Sequence, residues 1–179
     1  MTFKNLQDDL ITEVETLLKD VVTQNTDGEK VVGVKGYAHR LPITQSDEDD
    51  PAQYFPYFIV RFDTGKTEDD DDCWHIAVDI ILGVYDAGTD ISETETNDDG
   101  EEETRAKLLV GGHENILIMI QRIVDRFAWD PLFENKYRAD QNIQWAVGED
   151  DTYPFYFGAV AITFSVPKIG RKEPEYSYV

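Results

Sequence analysis

Carboxylates are the most abundant reactive groups in this chain. It carries 37 acidic residues against 16 basic ones in 179, a formal charge of -21. They concentrate in residues 47–50, 68–72 and 90–103. The first chemistry such runs suggest is calcium binding. An EF-hand loop needs oxygen ligands at positions 1, 3 and 5, glycine at 6 and a bidentate Glu at 12. With Gly100 as the sixth residue, Glu95, Asn97 and Asp99 fall on the first three ligand positions, but Ala106 stands where the closing Glu belongs. Carboxylate runs with no turn to converge them repel into open chain. They read as solvated loops, and no metal is expected.

Other constellations fail at a named residue. His113-Glu114-Asn115-Ile116-Leu117 begins like a zinc-protease helix, yet Leu117 occupies the place of the second histidine. Only His39 and His75 remain, each isolated in a strand-like run. Gly65-Lys66-Thr67 imitates the end of a phosphate-binding loop, but the upstream glycine is Val60, and the acids at 68–72 would repel a phosphate. Acids also precede Cys73, which disfavours a thiolate there. No Gly-x-Ser-x-Gly occurs. The expectation is a protein without catalytic activity or cofactor. Its charge sets it against nucleic acid and anionic membranes, so its partners should be proteins.

The elements that would position any site follow from periodicity. Phe3, Leu6, Leu10, Val14, Leu17, Leu18 and Val21 recur at helical steps, with Thr2 as N-cap and a stop at Asn25-Thr-Asp-Gly28. A strand is expected over 31–41, another over 54–63 with pairing starting after Pro56, and a third over 73–85. In the third, Trp74, Ile76, Val78, Ile80, Leu82 and Val84 share one face. A second helix is expected over about 104–127, interrupted at Gly111-Gly112 and ended by Trp129-Asp130-Pro131. A hairpin follows, 143–147 with Trp145 inward and then 155–166. The length suits one domain. The single cysteine fits a reducing cytosol, and no window approaches the roughly 20 apolar residues of a membrane span. The expected architecture is α+β, a mostly antiparallel sheet with two helices on one face, over residues 1–166. Acidic mobile loops are expected at 45–53, 64–72 and 88–104, and an extended arm over 167–179. The run Tyr153-Pro-Phe-Tyr-Phe-Gly158 is aromatic on both faces, more than one sheet face buries.

Element order and texture over about 3–166 resemble the tail terminator, or tail completion, proteins of tailed bacteriophages, prophages and phage-tail-like particles. The residues that carry the likeness are Tyr57-Phe-Ile-Val-Arg-Phe62, the strand from Trp74 to Tyr85, the helix from Asn115 to Arg126, and the run from Tyr153 to Phe164. The resemblance implies a virion protein assembled in the bacterial cytoplasm as a ring, six copies favoured. Such a ring caps the tail tube, stops its polymerisation, docks the neck or connector protein, and lets DNA pass unbound. Tyr153, Phe155, Tyr156 and Phe157, with Ile169, Tyr176 and Tyr178 of the arm, are the expected subunit contacts. A head-tail connector of the same particle is the first alternative. An acidic inhibitor mimicking DNA is the second, disfavoured because its acids should sit at regular spacing on rigid elements.

Overall fold

The computed structural model describes residues 3–42, 51–67, 72–96, 102–109, 111–148 and 152–168. In chain order they form α1 (Phe3–Leu17), β1 (Val22–Gln24), β2 (Lys30–Val32), β3 (Lys35–Ala38), β4 (Tyr57–Lys66), β5 (Cys73–Tyr85), β6 (Thr89–Thr96), β7 (Glu102–Leu109), α2 (Gly112–Trp129), β8 (Leu132–Phe133), β9 (Tyr137–Ala139), β10 (Gln144–Val147) and β11 (Phe155–Pro167). Nine of these strands make one sheet, and β6 with β7 makes a separate pair. The fold is α+β, as the periodicity predicts.

The axis of the sheet is β5 paired antiparallel with β11 along its whole length, from Phe155 opposite Tyr85 to Pro167 opposite Cys73. Strand β4 lines the other edge of β5, its pairing beginning at Tyr57, directly after Pro56, with a register shift between Phe62 and Gly65. Even-numbered residues of β4, β5 and β11 point to one side, because side chains alternate across a strand. Phe58, Val60, Ile76, Val78, Ile80, Leu82, Val160, Ile162 and Phe164 are buried there in one cluster with both helices. Helix α1 contributes Leu6, Leu10 and Val14; α2 contributes Ile116, Met119, Ile120, Ile123 and Phe127. Each such side chain gains about 1.5–3 kcal/mol by leaving water. The two helices are tied by charge: Arg126 pairs with Glu13, and Arg122 pairs with Asp20 while donating to the Leu17 carbonyl at 3.0 Å. Arg122 thereby satisfies an acceptor that the end of α1 leaves open.

Several expected boundaries move. Helix α1 stops at Leu17 instead of running to Val21, and Thr2, its expected N-cap, lies outside the described residues. Val21-Val22-Thr23 is a β-branched run that prefers an extended backbone. The Asn25–Gly28 stop is a hairpin turn between β1 and β2: the Asn25 side-chain oxygen accepts from the Asp27 and Glu29 amides. The strand expected over 31–41 is two, broken at Gly33, whose φ of +87° a side chain rarely adopts. Its second half, β3, runs parallel to β4, the one parallel pair among the described strands of a sheet that is otherwise antiparallel, in keeping with the mostly antiparallel sheet expected. The hairpin β8–β9, pairing Leu132 with Arg138, was not legible at all. Its buried tyrosine, Tyr137, donates to the Asp9 carboxylate at 3.2 Å. Burial, then that carboxylate, pushes its hydroxyl up to about 12.

The largest correction concerns the expected acidic loops. Of 88–104, residues Thr89–Thr96 and Glu102–Thr104 are strand. Strand β7 then continues to Leu109 where the first turns of the second helix were expected, and α2 starts at Gly112. Of the other two loops, Thr64 to Lys66 extend β4 and Pro51–Tyr54 forms a short 3-10 turn; 45–50 and 68–71 fall outside the described residues. The physical reason for the hairpin lies at its base. Asp86 is 7% exposed, and its carboxylate accepts from the Gly88 amide and the Gly111 amide, both at 2.7 Å. Gly88 precedes β6 and Gly111 follows β7, so one side chain fixes both feet of the excursion and sets where α2 begins.

That arrangement separates two variants. Asp86→Ala should lower stability by about 2–4 kcal/mol, since each buried amide left without an acceptor costs about 1–3. Replacing residues 89–109 by a short Gly-Ser linker should change stability by less than about 1 kcal/mol, because β6 and β7 pair only with each other and loop length enters closure entropy logarithmically. Urea denaturation measures both. A loss of several kcal/mol in the linker variant would show that the hairpin packs on the body or binds a cation.

Candidate functional site: the open sheet face

Odd-numbered residues of β5 and β11 point away from the helices, and no helix among the described residues covers that face. The register orders it as cross-strand rows. At one end Tyr85 lies opposite Phe155; next come Lys35, Tyr57, Gly83 and Phe157. Tyr37 heads a row that continues through the aliphatic Ile59, Ile81, Ala159 and Ala146, and Arg61, Asp79, Ala161 and Gln144 make a more polar one. The far end carries Lys66, His75, Ser165, Arg138 and Leu132. The face therefore grades from aromatic to polar over the length of two 13-residue strands.

Phe55 organises the aromatic end. Its ring centroid lies 4.9 Å from that of Tyr57, 5.1 Å from that of Phe155 and 6.0 Å from that of Phe157, and Phe155 also meets Tyr85 at 5.4 Å. These are tilted or edge-on contacts, the arrangement that ring quadrupoles favour. The cluster depends on Gly83. A Cβ there would sit 2.6 Å from the Tyr57 ring, so glycine alone lets that ring lie across the strand. Burial raises the Tyr57 hydroxyl above its usual pKa. Tyr37, packed edge-on against Tyr54 at 5.9 Å, is raised as well, by burial first and then by Tyr54 and Glu15.

The expected contact residues divide between surfaces. Phe155 and Phe157 stand half-buried on the open face. Tyr156 points the other way, under the start of α2: a Cβ on Gly112 would meet its ring at 2.2 Å. Its burial is met within the chain. Tyr153 is exposed in the preceding turn, donating to the Ala87 carbonyl at 2.9 Å beside the hairpin foot. Ile169, Tyr176 and Tyr178 lie outside the described residues. Trp145 corrects the reading that placed it inward. Opposite Val160 it points to the helix side, but at the outer strand, and it is 57% exposed. Trp129, at the end of α2, is 91% exposed.

Among the described residues no three His, Cys, Asp or Glu side chains converge as a metal group would. His113 is exposed on the first turn of α2, and His39 sits just past β3 with its amide bonded to the Val60 carbonyl. Ser165 Oγ lies 3.2 Å from His75 Nδ1, the spacing of a nucleophile and its base. The two are a cross-strand pair on β11 and β5, and the ladders on either side occupy backbone amides that an oxyanion would need. No described helix is long and apolar enough to cross a membrane. The Ser165–His75 signal was unreadable from sequence because the residues are ninety positions apart.

No protein-family model matches this chain, and comparison with curated proteins found no significant match. The geometry of the face is what speaks to its use.

The role assigned to Gly83 is checked by substitution. Gly83→Val should displace the Tyr57 ring and lower the thermal midpoint by several degrees, an overpacking cost of about 1–3 kcal/mol. Adding Tyr57→Ala should recover part of that loss. Calorimetry on the single and double variants reads the coupling.

Proposed function

We propose that this chain is a structural subunit that closes into a ring of identical copies, in the manner of a phage tail terminator. The observation that carries the reading is the open sheet face, where the half-buried Ile59, Ile81, Tyr85, Phe155 and Phe157 make an apolar surface that no described helix covers. Surfaces of that kind mark contacts with other proteins. Sheet edges support it: on its outer side β4 beyond Val60 pairs with no described strand, nor does the outer side of β10. A ring contact is heterologous and needs two different patches on each copy, which a face and an edge on opposite flanks supply. The charge suits a lumen through which DNA slides, since few cations are available to hold phosphates.

The paired strands β6 and β7 give the DNA-mimic reading an acidic stretch of regular ladder, with Glu95 opposite Glu103. The same register sets Arg105 opposite Glu93, and Lys107 follows on that strand, which breaks the repeat a mimic needs.

Size-exclusion chromatography with light scattering tests the ring. With -21 charges per copy, assembly should strengthen as salt rises towards about 0.3 M, where screening shortens the reach of repulsion to well under 10 Å. Phe157→Ser should weaken it at least tenfold while leaving the circular dichroism of the subunit unchanged. A strict monomer at high concentration and moderate salt, still monomeric beside tube protein, would overturn the proposal. Capture by a neck protein and not by the tube would move the subunit to the connector.

A further inference from the structure

Helix α2 carries apolar side chains on both of its sides. Ile116, Ile120, Ile123 and Phe127 are buried against the body, while Glu114, Ile118, Gln121, Asp125 and Trp129 share the opposite stripe at steps of three and four. Ile118 on that outer stripe is 46% exposed, and Trp129 almost wholly so. We propose that, in the assembly, α2 of one copy lies on the open sheet face of the next. The inference rests on the ring reading and names what covers the face; the strand edges then flank this contact.

Three observations carry it. The first is placement. Both helices pack on one side of the sheet and the open face is the other side, so the two surfaces point away from each other. Each copy can then turn one surface to each neighbour, the heterologous contact from which rings are built. A helix laid on the bare side also gives the sheet its second layer, the arrangement in which a sheet buries both faces.

The second is fit. From Tyr85–Phe155 to His75–Ser165 the face runs about 33 Å, and α2 covers about 22 Å of that from Glu114 to Trp129. At about 4.8 Å per strand, β4, β5, β11 and β10 give it roughly 600 Å², near the roughly 800 Å² per partner of a standard contact. With Trp129 set among Tyr85, Phe155 and Phe157, Ile118 and Gln121 fall beside Ala77 and Ala161, where small side chains let a helix come close. An exposed tryptophan meeting half-buried aromatics is the kind of anchor that carries binding energy.

The third is charge. Arg122 and Arg126 are turned to α1, where they pair with Asp20 and Glu13, which leaves the outer stripe with Glu114 and Asp125. The paired rows of the face hold Lys35, Arg61, Lys66 and Arg138 against Asp79, with Asp63 beside the register shift of β4. In the placement that seats Trp129 at the aromatic end, Glu114 reaches the row of Lys66 and Arg138, and Asp125 falls between the rows of Lys35 and Arg61. A chain of formal charge -21 thus offers one face rich in cations to a helix side that bears only acids.

Introduced cysteines test the placement, with the single native one removed as Cys73→Ser. Gln121→Cys together with Ala161→Cys should link copies into a ladder on denaturing gels under mild oxidation. That linkage should form at least tenfold faster than dimers of either variant alone, and the two sites lie on opposite sides of one chain's sheet, so it cannot close within a copy. Trp129→Ala should weaken assembly at least tenfold by light scattering, with the circular dichroism of the subunit unchanged. Dimers from Gln121→Cys alone, or from Ala161→Cys alone, at the ladder's rate would mean helix on helix or face on face and overturn the placement. Assembly without the ladder, or assembly unmoved by Trp129→Ala, would overturn it and leave the ring reading standing. A strict monomer would remove both.

Discussion

Everything described here hangs on the pairing of β5 with β11. The two strands match over thirteen residues, and their partners are 70 positions apart at the Tyr85–Phe155 end and 94 apart at the Cys73–Pro167 end. Until that ladder forms, α2 has nothing to lie on, because its buried side chains meet β5 and β11 and its N-terminus rests on Tyr156. The short strands depend on it too: β4 and then β3 build outward from one edge, and β10 and β9 from the other. A fold whose central pairing is so distant in sequence closes its longest loops early and forms slowly for its size.

A strand pair with strict alternation creates two surfaces at once. The helix side is conventional core, and its few charges are spent on joining α1 to α2 through Arg122 and Arg126. No described helix covers the other side, yet its residues are not those of a solvated sheet. Its aromatic end is already half-organised by Phe55 and by the space that Gly83 leaves, so little side-chain entropy remains to be lost when a partner covers it. That preorganisation is the physical argument for a contact surface over an accidental one.

The acidic excess plays a different part. Arg61 with Asp79 and Lys4 with Asp8 are exposed pairs worth little, whereas Asp86 is structural because it is buried and accepts from two amides. In the β6–β7 ladder Glu95 stands opposite Glu103. Such pairs are unfavourable in an isolated sheet.

Periodicity alone determined the α+β class, the long strand at 73–85 and the part of its neighbour over 57–63, the main body of both helices and most of the core, since Phe58, Ile76, Ile80, Ile116 and Ile123 are read from spacing and buried as read. Composition also exposed the aromatic surplus around Tyr153 to Phe157. Only the tertiary structure decided how that surplus divides, Tyr156 beneath α2 and Phe155 and Phe157 on the open face, because strand parity says which residues share a side but not which side receives the helices. The hairpin at 89–109 was invisible for a related reason. Its residues lack the apolar alternation of a strand, and what holds it is a carboxylate at position 86 meeting an amide at position 111, a contact that no local pattern encodes.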